Sequence, residues 1–155
     1  MTRTMFNLLP RSIVRAVILI ACIFVSGAYG QKEASSTRNN DPEKSAPIVI
    51  KTQAQFDDII ATSGSNLIMV DFYADWCKPC KILSPIIEDI AEKNFAKVTV
   101  CKLDVDKHRA LASRFRISGI PVVIFFKNKK QIYKMYGLQP KNRYIEAIEK
   151  LSQKK

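Results

Sequence analysis

Val70-Asp71-Phe72-Tyr73-Ala74-Asp75-Trp76-Cys77-Lys78-Pro79-Cys80-Lys81 carries two cysteines separated by two residues. An apolar run, Leu67 to Val70, leads into this stretch, and a segment of helical period, Ile82 to Ile90, leads out of it. A strand followed by a helix that opens on Cys-x-x-Cys presents a dithiol able to close on itself. The same spacing also serves zinc, but zinc needs about four ligands. This chain has one histidine and no second cysteine pair, so no metal is expected. Redox chemistry is the reading that the surrounding residues favour.

Working outward, the elements alternate. Ile48-Val49-Ile50-Lys51 reads as a short strand. Thr52-Gln53-Ala54-Gln55 has the form of a capping box, with Phe56, Ile59 and Ile60 on one helical face. Leu67 to Tyr73 is apolar on both faces, as a central parallel strand would be. The helix after the cysteines contains Pro85, which offers no N–H, so a kink is expected there. Val98 to Leu103 is a further strand, and Asp106 can cap a helix from Lys107 to about Phe115. Val122 to Phe126 and Gln131 to Tyr136 form a hairpin turned by Lys127 to Lys130. Tyr144, Ile145, Ile148 and Leu151 stripe a last helix. The order is βαβαβαββα, an α/β chain with a central mixed sheet and helices on both faces.

The flanks differ in kind. Residues 1–15 are basic and acid-free, Ala16 to Val25 is unbroken apolar, and Ser26 to Gly30 supplies small residues for cleavage. Residues 1–30 therefore read as an export signal, with a mature start near Gln31. Two alternatives stay open: a retained anchor over residues 16–26, or a lipoprotein modified at Cys22, which follows Leu19-Ile20-Ala21. Residues 31–47 are polar and read as a linker, leaving 48–155 as the folded domain. The formal charge is +11, and without residues 1–30 about +8 remains, from 22 basic and 14 acidic residues. These bases are scattered without interleaved aromatics, which argues against nucleic-acid binding.

Taken together, the order and the residues resemble the thioredoxin family. The motifs that carry the resemblance are Val70 to Lys81, Lys102-Leu103-Asp104-Val105-Asp106, Gly119-Ile120-Pro121 and Gly137. It spans about Ile48 to Leu151 and implies the thioredoxin fold in its compact form. Lys78 departs from the usual Gly of Cys-Gly-Pro-Cys, and Tyr73 stands where many members have Trp. Lys129 replaces the usual hairpin Gly, which leaves Asn128 as the residue expected to tolerate a left-handed conformation.

Chemistry assigns the roles. Cys77, at a helix N-terminus whose unpaired N–H groups favour negative charge, is expected to be the exposed nucleophile. Cys80 faces inward and resolves the mixed disulfide, while Pro79 fixes the turn. Asp71 is expected to lie buried beneath the dithiol, where burial raises its pKa. The resemblance makes it the general base for Cys80 and places Lys102 beside it. It also makes Ile120-Pro121 a cis bond packed on the cysteines, lining with Trp76 and Gly137 a groove for an extended substrate segment. Cys101 reads as a small core residue, and His108 as solvated and without a role.

The function expected is a protein disulfide reductase exported to a bacterial periplasm. It would be a monomer without a cofactor, acting on disulfide-containing proteins and re-reduced by a membrane or reductase electron donor. A net oxidant or isomerase, or a redox-silent binding or chaperone module on the same fold, are the alternatives.

Overall fold

A computed structural model describes residues 46–154. The proposed signal over 1–30, with Cys22, and the linker as far as residue 45 lie outside the described residues. The strands are β1 (Ile48–Val49), β2 (Leu67–Tyr73), β3 (Val98–Asp104), β4 (Val122–Lys127) and β5 (Lys130–Tyr136). The helices are α1 (Gln53–Thr62), α2 (Lys78–Asn94), α3 (Arg109–Arg114) and α4 (Lys141–Gln153). Among these residues the sheet runs β1-β3-β2-β4-β5. β1, β3 and β2 are parallel, and β4 and β5 are antiparallel to their neighbours. This is the βαβαβαββα order that the apolar periodicity predicts.

Side chains alternate across a strand, so each strand feeds two layers. Leu67 and Met69 of β2, Val98 and Val100 of β3, and Val123 and Phe125 of β4 pack against Leu83, Ile87 and Ile90 of α2 and Tyr144 and Ile148 of α4. Ile68, Val70 and Phe72 point the other way, onto Phe56 of α1 and Leu111 of α3. Phe56, Phe115 and Phe126 meet there with ring centroids 5.3–5.8 Å apart. Burying one such side chain contributes about 1.5–3 kcal/mol. A charged residue within these rows forgoes that contribution, and four such residues fall on the α2/α4 side: Asp71, Lys102, Asp104 and Lys127.

Side-chain caps set two of the four described helix starts, those of α1 and α2. Thr52 Oγ1 accepts from Gln55 N at 3.0 Å, as a capping box requires, but Gln55 Oε1 accepts from Lys51 N at 2.7 Å, one residue upstream of the expected partner. The third helix is shorter than its sequence suggests. Asp106 does not cap it, because its Oδ2 accepts from Trp76 Nε1 at 2.7 Å. Asp104 Oδ1 instead takes the Asp106 and Lys107 N–H groups, and the helix begins only after His108. His108 is half-buried rather than solvated, with its Nε2 3.1 Å from the Ile50 carbonyl oxygen.

The β4–β5 turn needs two left-handed residues, and both Asn128 (φ 51°) and Lys129 (φ 64°) supply them. Lys127 belongs to β4 and is buried, not part of the turn. Its Nζ donates to the carbonyls of Leu151, Ser152 and Lys154 at 3.1, 2.9 and 2.6 Å. The last turn of α4 has no intrahelical partners for those oxygens, so the lysine closes that end.

Candidate active site

β2 ends at Tyr73, and α2 begins at Lys78 with Cys77 as its N-cap. The sulfur of Cys77 accepts the Cys80 N–H at 3.2 Å, taking the place that a serine or threonine oxygen usually fills. Pro79, in the first turn, has no N–H to satisfy. Cys77 and Cys80 are joined as a disulfide, with their Cα atoms 5.3 Å apart. When the pair is reduced, the same N–H and the positive end of α2 face a thiolate on Cys77.

One expectation needs correction. Cys77 is not the exposed sulfur: it is 3% exposed and Cys80 is 4% exposed. Both pack with Ala74 in a small cluster against Tyr73, Val105 and Ile120, which covers the closed pair evenly. Their neighbours distinguish them. Cys80, but not Cys77, lines a pocket of about 260 Å³ together with Asp71, Lys81, Ser84 and Lys102. The Asp71 carboxylate and the Cys80 sulfur therefore line one space.

Asp71 is 1% exposed, and its Oδ1 has no hydrogen-bond partner among the described residues. Burial is the main cause that pushes its carboxyl up to about 7, against a smaller downward pull from Lys102. Lys102 is its cross-strand partner in the β2–β3 register. The lysine does not, however, donate its proton to that orphaned oxygen. Its Nζ donates to Ser84 Oγ at 2.5 Å, lies 3.8 Å from Glu88 Oε1, and sits 5.2 Å from the centre of the Tyr73 ring. Burial pushes the Cys101 thiol up to about 12, so that cysteine stays an inert core residue.

The Ile120-Pro121 bond is cis, as the resemblance implies. Trp76 is 67% exposed and forms, with Val105, Ile117, Gly119, Ile120 and Arg109, a shallow groove of about 460 Å³ beside the cysteines. Gly137 does not line it. Its N–H donates to the Pro121 carbonyl at 2.9 Å, so it braces the cis-proline loop from behind. Lys78 is exposed at the first position of α2. Reading the sequence brought Cys77, Cys80, Asp71, Lys102, Trp76 and Ile120 to one place, but missed Asp106, Arg109, Ser84 and Glu88. A hydroxyl and a carboxylate four residues apart were the available signal for the last pair, since that spacing shares a helix face.

Comparison with known proteins agrees with this geometry. The Thioredoxin family model matches residues 47–150. A thioredoxin of Staphylococcus saprophyticus is 44% identical over 103 residues, covering 66% of this chain and 96% of the relative. Among solved structures, a mutant thioredoxin from Halobacterium salinarum superposes with a TM-score of 0.65 at 32% identity, covering 72% of this chain and 96% of the other. A thioredoxin of Malassezia sympodialis gives 0.64 at 33% identity, covering 70% and 92%. The chain thus belongs to the thioredoxin family and is a disulfide oxidoreductase with its redox pair at Cys77 and Cys80.

Proposed function

We propose that this protein is exported and reduces disulfides in extracytoplasmic proteins. The observation that carries the reading is the Cys77–Cys80 pair above a buried carboxyl whose pKa is raised to about 7. In the reduced protein, the Cys77 thiolate attacks one sulfur of a substrate disulfide. The substrate S–S bond breaks, and its second sulfur leaves as a thiolate that takes a proton from water. Asp71 then accepts the Cys80 proton, and the Cys80 thiolate attacks Cys77 Sγ, breaking the mixed disulfide. The substrate sulfur that had been bonded to Cys77 leaves as a thiolate and is protonated. Two electrons have passed to the substrate, and the Cys77–Cys80 disulfide is closed. A membrane or reductase donor must return two electrons and two protons for each cycle. Trp76 and Ile120 flank the groove in which the substrate segment lies, and one copy of the chain contains every group used.

Lys78 favours the thiolate of Cys77, which is the one observation on the side of a net oxidant. At roughly 7 Å and an effective dielectric of about 60, its charge raises the reduction potential by at most ~17 mV. Reducing thioredoxins and the strongest oxidants of this class differ by ~150 mV, so the lysine alone does not reverse the direction. Export rests on residues 1–30, with cleavage near Gln31, retention through 16–26 or lipidation of Cys22 as its possible forms. Amino-terminal sequencing of the native protein is expected to begin near Gln31; a soluble cytosolic protein beginning at Met1 or Thr2 contradicts export.

Insulin reduction driven by dithiothreitol tests the chemistry. The wild type is expected to turn over, Cys77→Ser to be inactive, and Cys80→Ser to accumulate a mixed disulfide with substrate. No turnover above the dithiothreitol background by the wild type would show a redox-silent binding module on the same fold, and full turnover by Cys77→Ser would remove Cys77 as the nucleophile. Equilibration with glutathione tests the direction: a potential near the reducing end is expected, and one near −120 mV would make the protein an oxidant.

A further inference from the structure

Asp71 and Lys102 sit directly opposite each other in neighbouring strands, yet they are not joined. Asp71 Oδ1 is buried and has no hydrogen-bond partner, while the Lys102 ammonium has turned to α2. What holds it there is a relay along one helix face. Lys102 Nζ donates to Ser84 Oγ, and Ser84 Oγ donates to Glu88 Oε1 at 3.1 Å. Ser84 and Glu88 are one turn apart, so α2 presents both to the lysine. The serine is half-buried and lines the pocket that holds Asp71 and Cys80. Glu88 lies outside, in the groove between β1 and α2, and Lys102 lines both spaces.

We infer that Ser84 and Glu88 are positioning residues for the proton transfer from Cys80, acting by holding the Lys102 ammonium off the Asp71 carboxylate. The inference rests on the proposal above that Asp71 is the base. A lysine donating directly to Asp71 would stabilise the carboxylate and make it a weaker base. Held 3.8 Å or less from Ser84 and Glu88, the ammonium still neutralises part of the buried charge without supplying that bond.

Among the described residues no other group supplies it. On β2 the pocket holds Tyr73, whose ring lies under Lys102, with Ala74 and Asp75 just beyond. On α2 it holds Cys80 and Lys81, and on β3 Asp104 acts on Tyr73 and is ion-paired to Lys107. From α4, Tyr144 is near enough to feel the Asp71 charge, but its hydroxyl pairs with Gln139 N and the Gly137 carbonyl. On the outer side, Asp89 is taken by Lys93 and Lys141, and Glu92 lies beyond it along α2.

The test compares wild type, Ser84→Ala, Ser84→Ala/Glu88→Gln, Ser84→Thr and Asp71→Asn. The Asp71 carboxyl carbon is titrated by NMR in the oxidised protein. A mixed disulfide of Cys77 with thionitrobenzoate is formed, and its release by Cys80 is followed against pH. In the double variant, Lys102 is expected to turn to Asp71, lowering its NMR midpoint by about one unit. The release profile should move to lower pH by the same amount, with a lower plateau. Ser84→Ala should give part of this change, and Ser84→Thr, which keeps the hydroxyl, should restore the wild-type midpoint. An unmoved midpoint in the double variant overturns the inference, as does an equal shift in Ser84→Thr. If Asp71→Asn releases thionitrobenzoate like wild type, Asp71 is not the base and the failure lies with the earlier proposal. A moved midpoint with an unmoved release profile overturns the kinetic role of Ser84 and Glu88 alone.

Discussion

Asp71 and Lys127 lie on the same face of the sheet at opposite ends, because β4 runs against β2. Both are buried charged residues in rows that are otherwise apolar. Lys127 meets three carbonyl oxygens at the end of α4 and is fully used. Asp71 meets none at Oδ1, although a lysine stands opposite it. A buried polar group normally has partners, and an orphaned one costs about 1–3 kcal/mol or more when charged. One end of the sheet thus spends its charge on holding a helix. The other leaves a carboxyl without a partner at Oδ1, its pKa raised by burial, at the expense of stability.

Of substitutions at the two ends of the sheet, one at Asp71 is expected to have the largest effect. Its folded-state pKa is raised from 3.8 to about 7, so the native protein retains a proton that the unfolded chain has lost across that range. Wild-type stability from this group therefore falls as pH rises from about 4 to 7 and is level above that. Asp71→Asn removes the slope. It is expected to match wild type near pH 4 and to exceed it by up to about 4 kcal/mol at pH 8. Urea unfolding at both pH values measures this, and equal stabilities at pH 8 would return Asp71 to a satisfied structural role.

The opposite sign is expected at the other end. Lys127→Met fits an apolar stem into the same row but abandons three carbonyls, with a loss of about 2–3 kcal/mol in urea unfolding. Its rate of disulfide exchange at 25 °C should equal that of wild type. A variant as stable as wild type would mean that water satisfies those oxygens equally well.

Exposed Lys78 gives the smallest effect, since solvent screens it. Lys78→Gly is expected to lower the reduction potential by no more than about 20 mV, read by glutathione equilibration. A larger fall would mean that charge beside Cys77 governs the redox balance more strongly than the buried site does.

These residues also mark where sequence stops being informative. Leu67 to Tyr73 is readable because its apolar run and its single carboxylate need only the period of a strand to be placed. Thr52 likewise announces its helix through a contact three residues away. Lys127 follows an apolar strand and precedes Asn128, so it reads as a turn; only the packing of α4, 24 to 27 residues later, shows why it is buried. Asp106 looks like a cap until Trp76, 30 residues earlier, takes its oxygen. Ser84 and Glu88 look like an ordinary solvated face, and Lys102 arrives from another strand. In each case the missing information is a contact distant in sequence, which propensity and period do not encode. The cis bond before Pro121 and the pairing of Asp71 with Lys102 came from family resemblance rather than from residue patterns.

Transfer of the Cys80 proton to Asp71 is the step that separates a catalytic carboxyl from a structural one, and single-turnover release of thionitrobenzoate from Cys77 measures it. The wild-type rate is expected to rise with pH through a midpoint near the carboxyl value of about 7. Asp71→Asn is expected to be slower on the order of 10²-fold near neutrality, with its rise displaced toward the range of an unassisted thiol, about 8.5. Superimposable profiles for the two proteins would contradict the account.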